Sequence, residues 1–327
     1  MPKNKKQIYI LTVVVLAVVY AIVFSLMSAG LLSRYWSSLI NLICINIILA
    51  VSLNVTVGTL GQITLGHAGF MSIGAYAAGL FSKAHIVDGL PGFLISLVIA
   101  GIVAGIVGVI IGIPGLRLRG DYLAIITLAF GEIIRVLIEF FDFTGGAQGL
   151  SGIPRFQNFT VFFILMAASV AFMYSMMTSR HGRAILAIRE DEIASDSVGI
   201  NTTYYKVFAF VISAVFAGIA GGMYAHQMGV LNAKQFDFNY SINILVMVVL
   251  GGMGSFTGAT ISATVLTILP EMLRGFNDYR MIIYSLILII MMIFRPSGLL
   301  GRKEFHITKF VNKFRNRKKK EGGELRE

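Results

Sequence analysis

The sequence predicts an all-α, polytopic bundle of membrane helices, and two observations lead to that prediction. Of the 327 residues, 56% are hydrophobic and only 13% are charged, and the mean hydropathy is +0.81. Soluble domains have about a quarter of their residues charged, so these charges are too few to cover the surface of a water-soluble protein. The charged residues are also unevenly spread, which leaves long apolar intervals between them. The composition therefore excludes a soluble enzyme and favours a chain that crosses a membrane several times.

Intervals without Asp, Glu, Lys or Arg predict where the chain crosses the membrane. About 20 helical residues span a hydrocarbon core of roughly 30 Å. The first interval is interpreted as an uncleaved span rather than a signal peptide, because its apolar run is long and no clear cleavage site follows it. We predict eight full spans: one each in 7–33, 89–116, 156–179, 207–233 and 281–294, two in 35–82, and one in 122–141, which carries Glu132, Arg135 and Glu139.

The interval 238–270 has 33 residues, too many for one straight helix and too few for two crossings with a loop. Gly251, Gly252, Gly254 and Ser255 lie in its middle, and glycine weakens a helix interior. We predict two half-helices joined by a glycine-rich break, which gives eight to ten membrane helices in all. Irregular backbone at membrane depth needs protein or a water-filled cavity around it, so the break is a candidate for a pathway through the membrane.

The placement of positive charge predicts the orientation of the chain. Residues 1–6 carry three lysines, and 295–327 carry eleven Lys/Arg against four Asp/Glu, so the two ends hold +10 of the net +11. Such a distribution indicates topology and argues against a nucleic-acid partner, and basic segments favour the cytoplasmic side. We therefore predict cytoplasmic termini and a cytoplasmic loop at 178–206. The chain divides into a membrane domain, 1–301, and a basic cytoplasmic tail, 302–327.

The tail leaves two interpretations open. Ile307, Phe310, Val311 and Phe314 follow the spacing of one helix face and are surrounded by lysine and arginine. This pattern is typical of an amphipathic helix on the anionic membrane lipid surface, and a disordered basic tail explains the composition equally well.

The residue types needed for catalysis or metal binding are sparse. Cys44 is the only cysteine, so the chain can form neither an intramolecular disulfide nor a cysteine-only metal site. The five histidines are scattered along the chain, without the HExxH pattern of a zinc enzyme. We therefore predict no metal site and no catalytic residues, which disfavours an integral-membrane enzyme.

The loop 178–206 is the longest polar segment between the predicted spans. Ile185, Ile188 and Ile193 recur at near-helical spacing and predict a helix over 184–197 that ends at Gly199. Composition alone does not decide between a solvated connecting helix and a helix that docks into a cytoplasmic partner.

Six segments in order give the chain a resemblance to a known family. They are Gly61–Phe70 (GQITLGHAGF), Arg119–Tyr122 (RGDY), Thr144–Leu150 (TGGAQGL), Gly182–Asn201 (GRAILAIREDEIASDSVGIN), Val249–Ser255 (VLGGMGS) and Phe294–Gly301 (FRPSGLLG). Together they resemble the permeases of branched-chain amino-acid ABC importers, and the LGHAGF form is similar to the LivM-type subunit. The resemblance spans about residues 37–301, and urea or other small-solute permeases of the same family look close too.

The resemblance implies a permease subunit that transports branched-chain or related hydrophobic amino acids across a bacterial or archaeal cytoplasmic membrane. It implies a second, LivH-type permease, two ATPase subunits that bind ATP and Mg²⁺, and an extracytoplasmic binding protein, with no cofactor on this chain. The sequence holds no Gly-x-x-x-x-Gly-Lys-Ser/Thr, so ATP hydrolysis has to come from another chain. By the same resemblance, the loop is the ATPase-coupling loop, with candidate residues Gly182, Arg183, Ala184, Ala187, Arg189, Glu190, Asp191, Glu192, Ala194 and Gly199.

Several residues are candidates for the pathway or its gate, and each has a structural alternative. His67 is either a gate residue or a neutral histidine hydrogen-bonded at a packed helix interface. Glu132 either lines the pathway, as intramembrane carboxylates often do, or pairs with Arg135 or with a neighbouring subunit. An ion-coupled secondary transporter that uses His67 or Glu132 as a proton site remains an alternative function. The full candidate set is Gly61, Gln62, Gly66, His67, Glu132, Gly251, Gly252, Gly254 and Ser255.

Overall fold

The computed structural model describes residues 2–30, 33–118, 120–294, 298–299 and 301. The predicted tail, 302–327, lies outside the described residues. The described chain is predominantly helical, which confirms the predicted helix bundle. Its helices are α1 (Pro2–Ser28), α2 (Arg34–Asn54), α3 (His67–Lys83), α4 (Gly89–Gly115), α5 (Asp121–Phe140), α6 (Phe159–Thr178), α7 (Arg180–Glu190), α8 (Glu192–Ser197), α9 (Thr202–Met228), α10 (Phe238–Gly251), α11 (Phe256–Met272) and α12 (Arg280–Phe294).

Helices occupy every interval in which a span was predicted, and the longest ones have the dimensions of membrane spans. Within the described ranges, five helical segments are long and apolar enough to cross a membrane: Arg34–Leu60, Gly89–Gly115, Phe159–Thr178, Thr202–Met228 and Phe256–Gly275. Helix α5 has the length of a span but carries four charged residues, and α3 and α12 have 17 and 15 residues. The chain is a multi-pass membrane protein, and the number of spans and the side of each terminus stay predictions.

Helices α3, α4 and α9 form the tightest part of the bundle because small residues face one another. A Cβ on Gly74 of α3 would overlap the backbone of Gly218 on α9, and one on Gly221 would overlap the carbonyl oxygen of Met71. On the other side of α9, a Cβ on Gly222 would come within 2.8 Å of Leu97 on α4. Such close backbone approach is the usual way in which membrane helices pack without a hydrophobic driving force between them.

The two faces of α4 differ in exposure and in the size of their residues. Val98, Ile102, Ile106 and Ile110 are exposed and recur every four residues along one face. The glycines at 101, 105, 108 and 112 would each place a Cβ within about 3.1 Å of α9 side chains. The apolar stripe is therefore the exposed face of α4, as expected of a membrane helix, and the glycine stripe packs against α9.

A small antiparallel sheet was not predicted. Leu150 pairs with Leu231, and Ser151 pairs with Val230, between the loop after α5 and the segment after α9. Two-residue strands give too short an apolar pattern for periodicity to reveal. The pairing ties together the two loops at that end of the bundle.

Candidate functional site

The predicted glycine-rich break is present between α10 and α11. Helix α10 ends at Gly251, and α11 begins at Phe256. Gly252 and Gly254 have φ angles of +108° and +93°, which side chains other than glycine rarely adopt. The hydroxyl of Ser255 accepts a 3.1 Å hydrogen bond from the Gly258 N–H and so caps α11. The structure confirms the glycine-rich break. The prediction of two half-helices was wrong for the second one, because α11 and its continuation to Gly275 are long and apolar enough to cross a membrane, whereas α10 has 14 residues.

The chain after α12 returns to this break. The N–H of Leu299 donates a 2.7 Å hydrogen bond to the carbonyl of Leu250. A Cβ on Gly298 would lie 2.6 Å from the Cα of Gly252, and a Cβ on Gly252 would overlap the carbonyl oxygen of Gly301. The described residues Gly298, Leu299 and Gly301 of one family-like segment thus lie against the backbone of another, Val249–Ser255, and the approach of Gly298 to Gly252 leaves no room for a Cβ.

The side chain of Asn54, at the end of α2, holds the break in place. Its Oδ1 accepts a 2.9 Å hydrogen bond from the Gly254 N–H, and its Nδ2 donates a 3.1 Å hydrogen bond to the Ser255 carbonyl. Asn54 is fully buried. Our sequence reasoning missed this residue. The available signal was an amide inside a charge-free interval, because a buried polar side chain needs hydrogen-bond partners.

Helix α2 continues into a π-helical segment, Val55–Leu60, that lies against the break. A Cβ on Gly58 would overlap both the Oδ1 of Asn54 and the backbone nitrogen of Gly254. Gly61 then ends the segment with a φ of +79°. Single π-helical turns are rare and are frequent at functional sites. The glycines at 58 and 61 allow the π segment and the break to touch.

The predicted coupling loop forms two helices, α7 and α8, rather than the single helix 184–197. That prediction was wrong because Asp191 leaves the helical conformation, with φ −155° and ψ 112°. Its carboxylate accepts a 2.9 Å hydrogen bond from the Ala194 N–H and starts α8 as an N-cap. Gly199, with a φ of +86°, ends the loop helix as predicted.

The candidate coupling residues differ in exposure. Gly182 is buried, and a Cβ there would overlap the carbonyl oxygen of Met177. Ile185 and Ile188 are buried and anchor α7, whereas Ile193 and Val198 are 74% and 78% exposed. Of the remaining candidates, Ala184, Ala187, Arg189 and Glu192 are half-buried, and Arg183, Glu190, Asp191, Ala194 and Gly199 are exposed.

Two side chains fasten the loop to the bundle. Lys206 of α9 is buried, and its ammonium forms a 2.6 Å ion pair with Glu192 of α8. The guanidinium of Arg189 on α7 donates a hydrogen bond to the carbonyl of Gly58. A Cβ on Gly254 would lie 3.3 Å from Arg189 Nη1, and one on Gly61 would lie 2.9 Å from Arg189 Cγ. The structure thus brings together the coupling loop, the π segment and the glycine break, which the sequence places far apart.

His67 occupies a packed site at the beginning of α3. Its Nε2 lies 2.9 Å from the hydroxyl of Ser52, and that hydroxyl donates its only proton to the carbonyl of Leu49. Gly66, just before His67, packs so closely on Thr127 that a Cβ would overlap the Thr127 carbonyl oxygen. This geometry matches the structural alternative for His67, and its role in a gate stays a prediction.

Glu132 belongs to a charged triad on α5. Arg135 Nε lies 2.7 Å from Glu132 Oε2, and Arg135 Nη1 lies 3.4 Å from Glu139 Oε2. All three side chains are partly exposed. The predicted pair between Glu132 and Arg135 is present. Whether the triad lines the pathway or meets a neighbouring subunit stays a prediction.

Two further observations concern the candidate Gln62 and possible metal ligands. The Oε1 of Gln62 is buried and has no hydrogen-bond partner among the described residues. Within the same residues, no three His, Cys, Asp or Glu side chains converge in a way that would hold a metal ion.

Comparison with known proteins decides the family. The family described as "Branched-chain amino acid transport system / permease component" matches residues 35–294. The chain belongs to this permease family. It is 38% identical to the high-affinity branched-chain amino acid transport system permease protein LivM of Escherichia coli, over 90% of this chain and 75% of that protein. LivM of Salmonella typhimurium is 37% identical over the same shares.

The permease also resembles the second type of subunit in this family. The permease protein LivH of Salmonella typhimurium is 28% identical over 49% of this chain and 52% of that protein. No solved structure matches the permease. The higher identity and wider coverage support the predicted LivM type.

Proposed function

We propose that this permease is one subunit of an ATP-driven importer of branched-chain amino acids in a bacterial or archaeal cytoplasmic membrane. The observation that carries the proposal is the geometry of the coupling loop. Its helices are anchored by buried isoleucines and an ion pair, expose apolar side chains, and reach the glycine break through Arg189. A loop with only a connecting role needs neither the exposed apolar residues nor the contact with the break.

The exposed side of α7 and α8 is the proposed docking surface for an ATPase. Ile193 and Val198 are apolar, 74% and 78% exposed, and lie on the loop that the sequence predicts to be cytoplasmic. Apolar side chains in such a place mark a protein-interaction site when acidic and basic groups surround them. In this proposal each permease binds one of two ATPases, which hold ATP and Mg²⁺, since the permease has no phosphate-binding loop of its own.

The other proposed partners follow from the relatives. Those named LivM and LivH are permeases of branched-chain amino acid transport systems. The likeness of this chain to both types supports two similar permeases that pair around a common pathway. An extracytoplasmic binding protein would deliver the substrate and set much of the specificity, which leaves a urea or small-solute permease as the alternative within the family.

The pathway is proposed to run beside the break between α10 and α11. Backbone that leaves the helical conformation at membrane depth survives where protein or water satisfies its polar groups. Here Asn54 satisfies Gly254 and Ser255, and the return of the chain at Leu299 satisfies Leu250. The break also lies beside Arg189 of the predicted cytoplasmic loop, so we place it at the cytoplasmic end of the proposed pathway.

Co-purification tests the proposal. The tagged permease is expressed with its neighbouring genes and purified in mild detergent. The expected result is a complex with a second permease and two ATPases that hydrolyses ATP, and the complex takes up leucine rather than urea after reconstitution. A permease that purifies alone and shows no association with an ATPase would contradict it.

A further inference from the structure

A single arginine connects the coupling loop to the glycine break. Arg189 lies in the last turn of α7 and donates a hydrogen bond to the carbonyl of Gly58 in the π segment. One turn earlier, Asn54 holds the Gly254 N–H and the Ser255 carbonyl. Hydrogen bonds thus join α7 to the π segment and the end of α2 to the break, between residues 131 and 200 positions apart.

The surroundings of Arg189 are shaped to hold its side chain. A Cβ on Gly61 would come within 2.9 Å of Arg189 Cγ, and a Cβ on Gly254 within 3.3 Å of Nη1. Glycine at both positions leaves the space that the arginine occupies. The last carbonyls of a helix lack partners within it, and Gly58 lies near the end of the π segment. A charged guanidinium makes a stronger hydrogen bond to such a carbonyl than a neutral donor does.

We propose that Arg189 is a positioning residue that transmits movement of the coupling helices to the glycine break. The proposal rests on the function proposed above, in which an ATPase moves α7 and α8. A displacement of α7 pulls Arg189 away from Gly58 and frees the π segment. The π segment then converts from a π-helical to an α-helical turn, and Asn54 moves with it relative to Gly254 and Ser255.

The π segment is the element with two arrangements in this proposal. A π-helical turn holds one more residue than an α-helical turn. Its conversion to an α-helical turn rotates the residues on one side of it relative to the other. Asn54 stands at its beginning and Gly61 at its end. Gly58, within it, lies against both the Gly254 nitrogen of the break and the Arg189 guanidinium of the coupling loop. Coupling between sites requires such a two-state element, which both sites influence.

The test uses the complete transporter, purified with its ATPases and reconstituted in proteoliposomes, with leucine uptake and ATP hydrolysis measured on the same samples. Arg189→Met removes the hydrogen-bond donor to the Gly58 carbonyl. Asn54→Ala removes the side chain that binds Gly254 and Ser255. Each is expected to lower uptake per ATP hydrolysed about tenfold, while ATP hydrolysis and the amount of bound ATPase stay near wild type. The double variant is expected to lose no more than the stronger single one, because both act through one network.

Arg155→Met is the matched control. Arg155 also donates a hydrogen bond to a backbone carbonyl, that of Met228 at 3.2 Å, but on a different loop. This variant is expected to keep the wild-type ratio of uptake to ATP hydrolysis.

Three results would overturn the proposal. The first is a wild-type ratio in both single variants. The second is loss of bound ATPase in Arg189→Met, which would make Arg189 a docking residue. The third is additive loss in the double variant, which would place Arg189 and Asn54 in separate networks. If the transporter with Arg189→Met does not assemble, the ratio of leucine uptake to ATP hydrolysis is measured for Arg189→Lys and Asn54→Ala instead, and a wild-type ratio in both overturns the proposal. If the wild-type transporter itself shows no ATP-dependent uptake, the proposed function fails instead.

Discussion

At the residue scale, glycine makes the contacts of the site possible by having no side chain. Gly252 has a φ of +108° and lies against the backbone at Gly298 and Gly301. Gly58 lies in the π segment and has no positive φ, but a Cβ there would overlap Asn54 and Gly254. The first position needs glycine for its conformation and for space, and the second needs it for space alone. Each requirement is tested by a substitution with its own control.

Gly252→Ala is expected to abolish transport. The positive φ costs an alanine about 1–3 kcal/mol, and the Cβ also overlaps the carbonyl of Gly301. Gly152→Ala is the control, since Gly152 has a φ of +83° but nothing within 4 Å of its Cβ position. Uptake should fall to background for the first variant and stay near wild type for the second. Equal uptake in the two would show that the close approach at Gly252 has no role.

Gly58→Ala is expected to destabilise the contact between the π segment and the break by about 1–3 kcal/mol, the usual cost of overpacking. Its added methyl group has to displace the Asn54 amide, so uptake should fall with stability. Gly275→Ala is the control, since it adds a methyl group where nothing lies within 4 Å. It should change neither the stability nor the uptake. Thermal unfolding in detergent and uptake are the measurements. A stable, active Gly58→Ala variant would contradict the geometry.

At the element scale, both helices of the coupling loop are anchored to the bundle. Helix α7 is anchored by Ile185 and Ile188, and α8 is anchored to α9 by the ion pair between Glu192 and Lys206. Lys206 is 6% exposed in its side chain and Glu192 is 29% exposed, so the pair is largely removed from water. A force on α8 is therefore passed to α9, the helix at the centre of the packing with α3 and α4.

Lys206→Met is expected to lower the free energy of unfolding by about 1–3 kcal/mol, because Glu192 loses a partner in a partly buried place. The double variant Lys206→Met with Glu192→Gln should recover part of that loss, since no uncompensated carboxylate remains. Thermal unfolding of the purified transporter measures both. A double variant less stable than Lys206→Met would show that the cost comes from lost packing rather than from charge.

Ile193→Glu is expected to weaken ATPase binding at least about tenfold without changing the fold of the permease. Ile193 is 74% exposed, and a charge in the centre of a docking surface has to be desolvated on binding. Tyr122→Glu is the control, because Tyr122 is 73% exposed on a different segment, at the start of α5. ATPase retained on the tagged permease is the measurement. Full retention by the Ile193→Glu variant would exclude α8 from the docking surface.

At the scale of the whole molecule, charge-free intervals predicted the helices, because charge is costly in the membrane and its absence marks each crossing. The glycines predicted the break between α10 and α11, since their effect on a helix is local. The turn at Asp191, the π segment and the bridge by Asn54 were not predicted. The turn at Asp191 is a local N-cap to Ala194 that the prediction of a single helix overlooked. The bridge by Asn54 depends on a contact across the fold, with 200 residues between Asn54 and Gly254, and no periodicity in the sequence reports such contacts.

The central claim is that this permease transports only as part of an ATP-driven complex. The most direct measurement is leucine uptake into proteoliposomes that contain either the permease alone or the complete transporter, with ATP inside and the binding protein outside. The account predicts uptake only with the complete transporter and ATP, unaffected by a proton ionophore. Uptake by the permease alone, driven by a proton gradient and abolished by the ionophore, would contradict it and establish a secondary transporter.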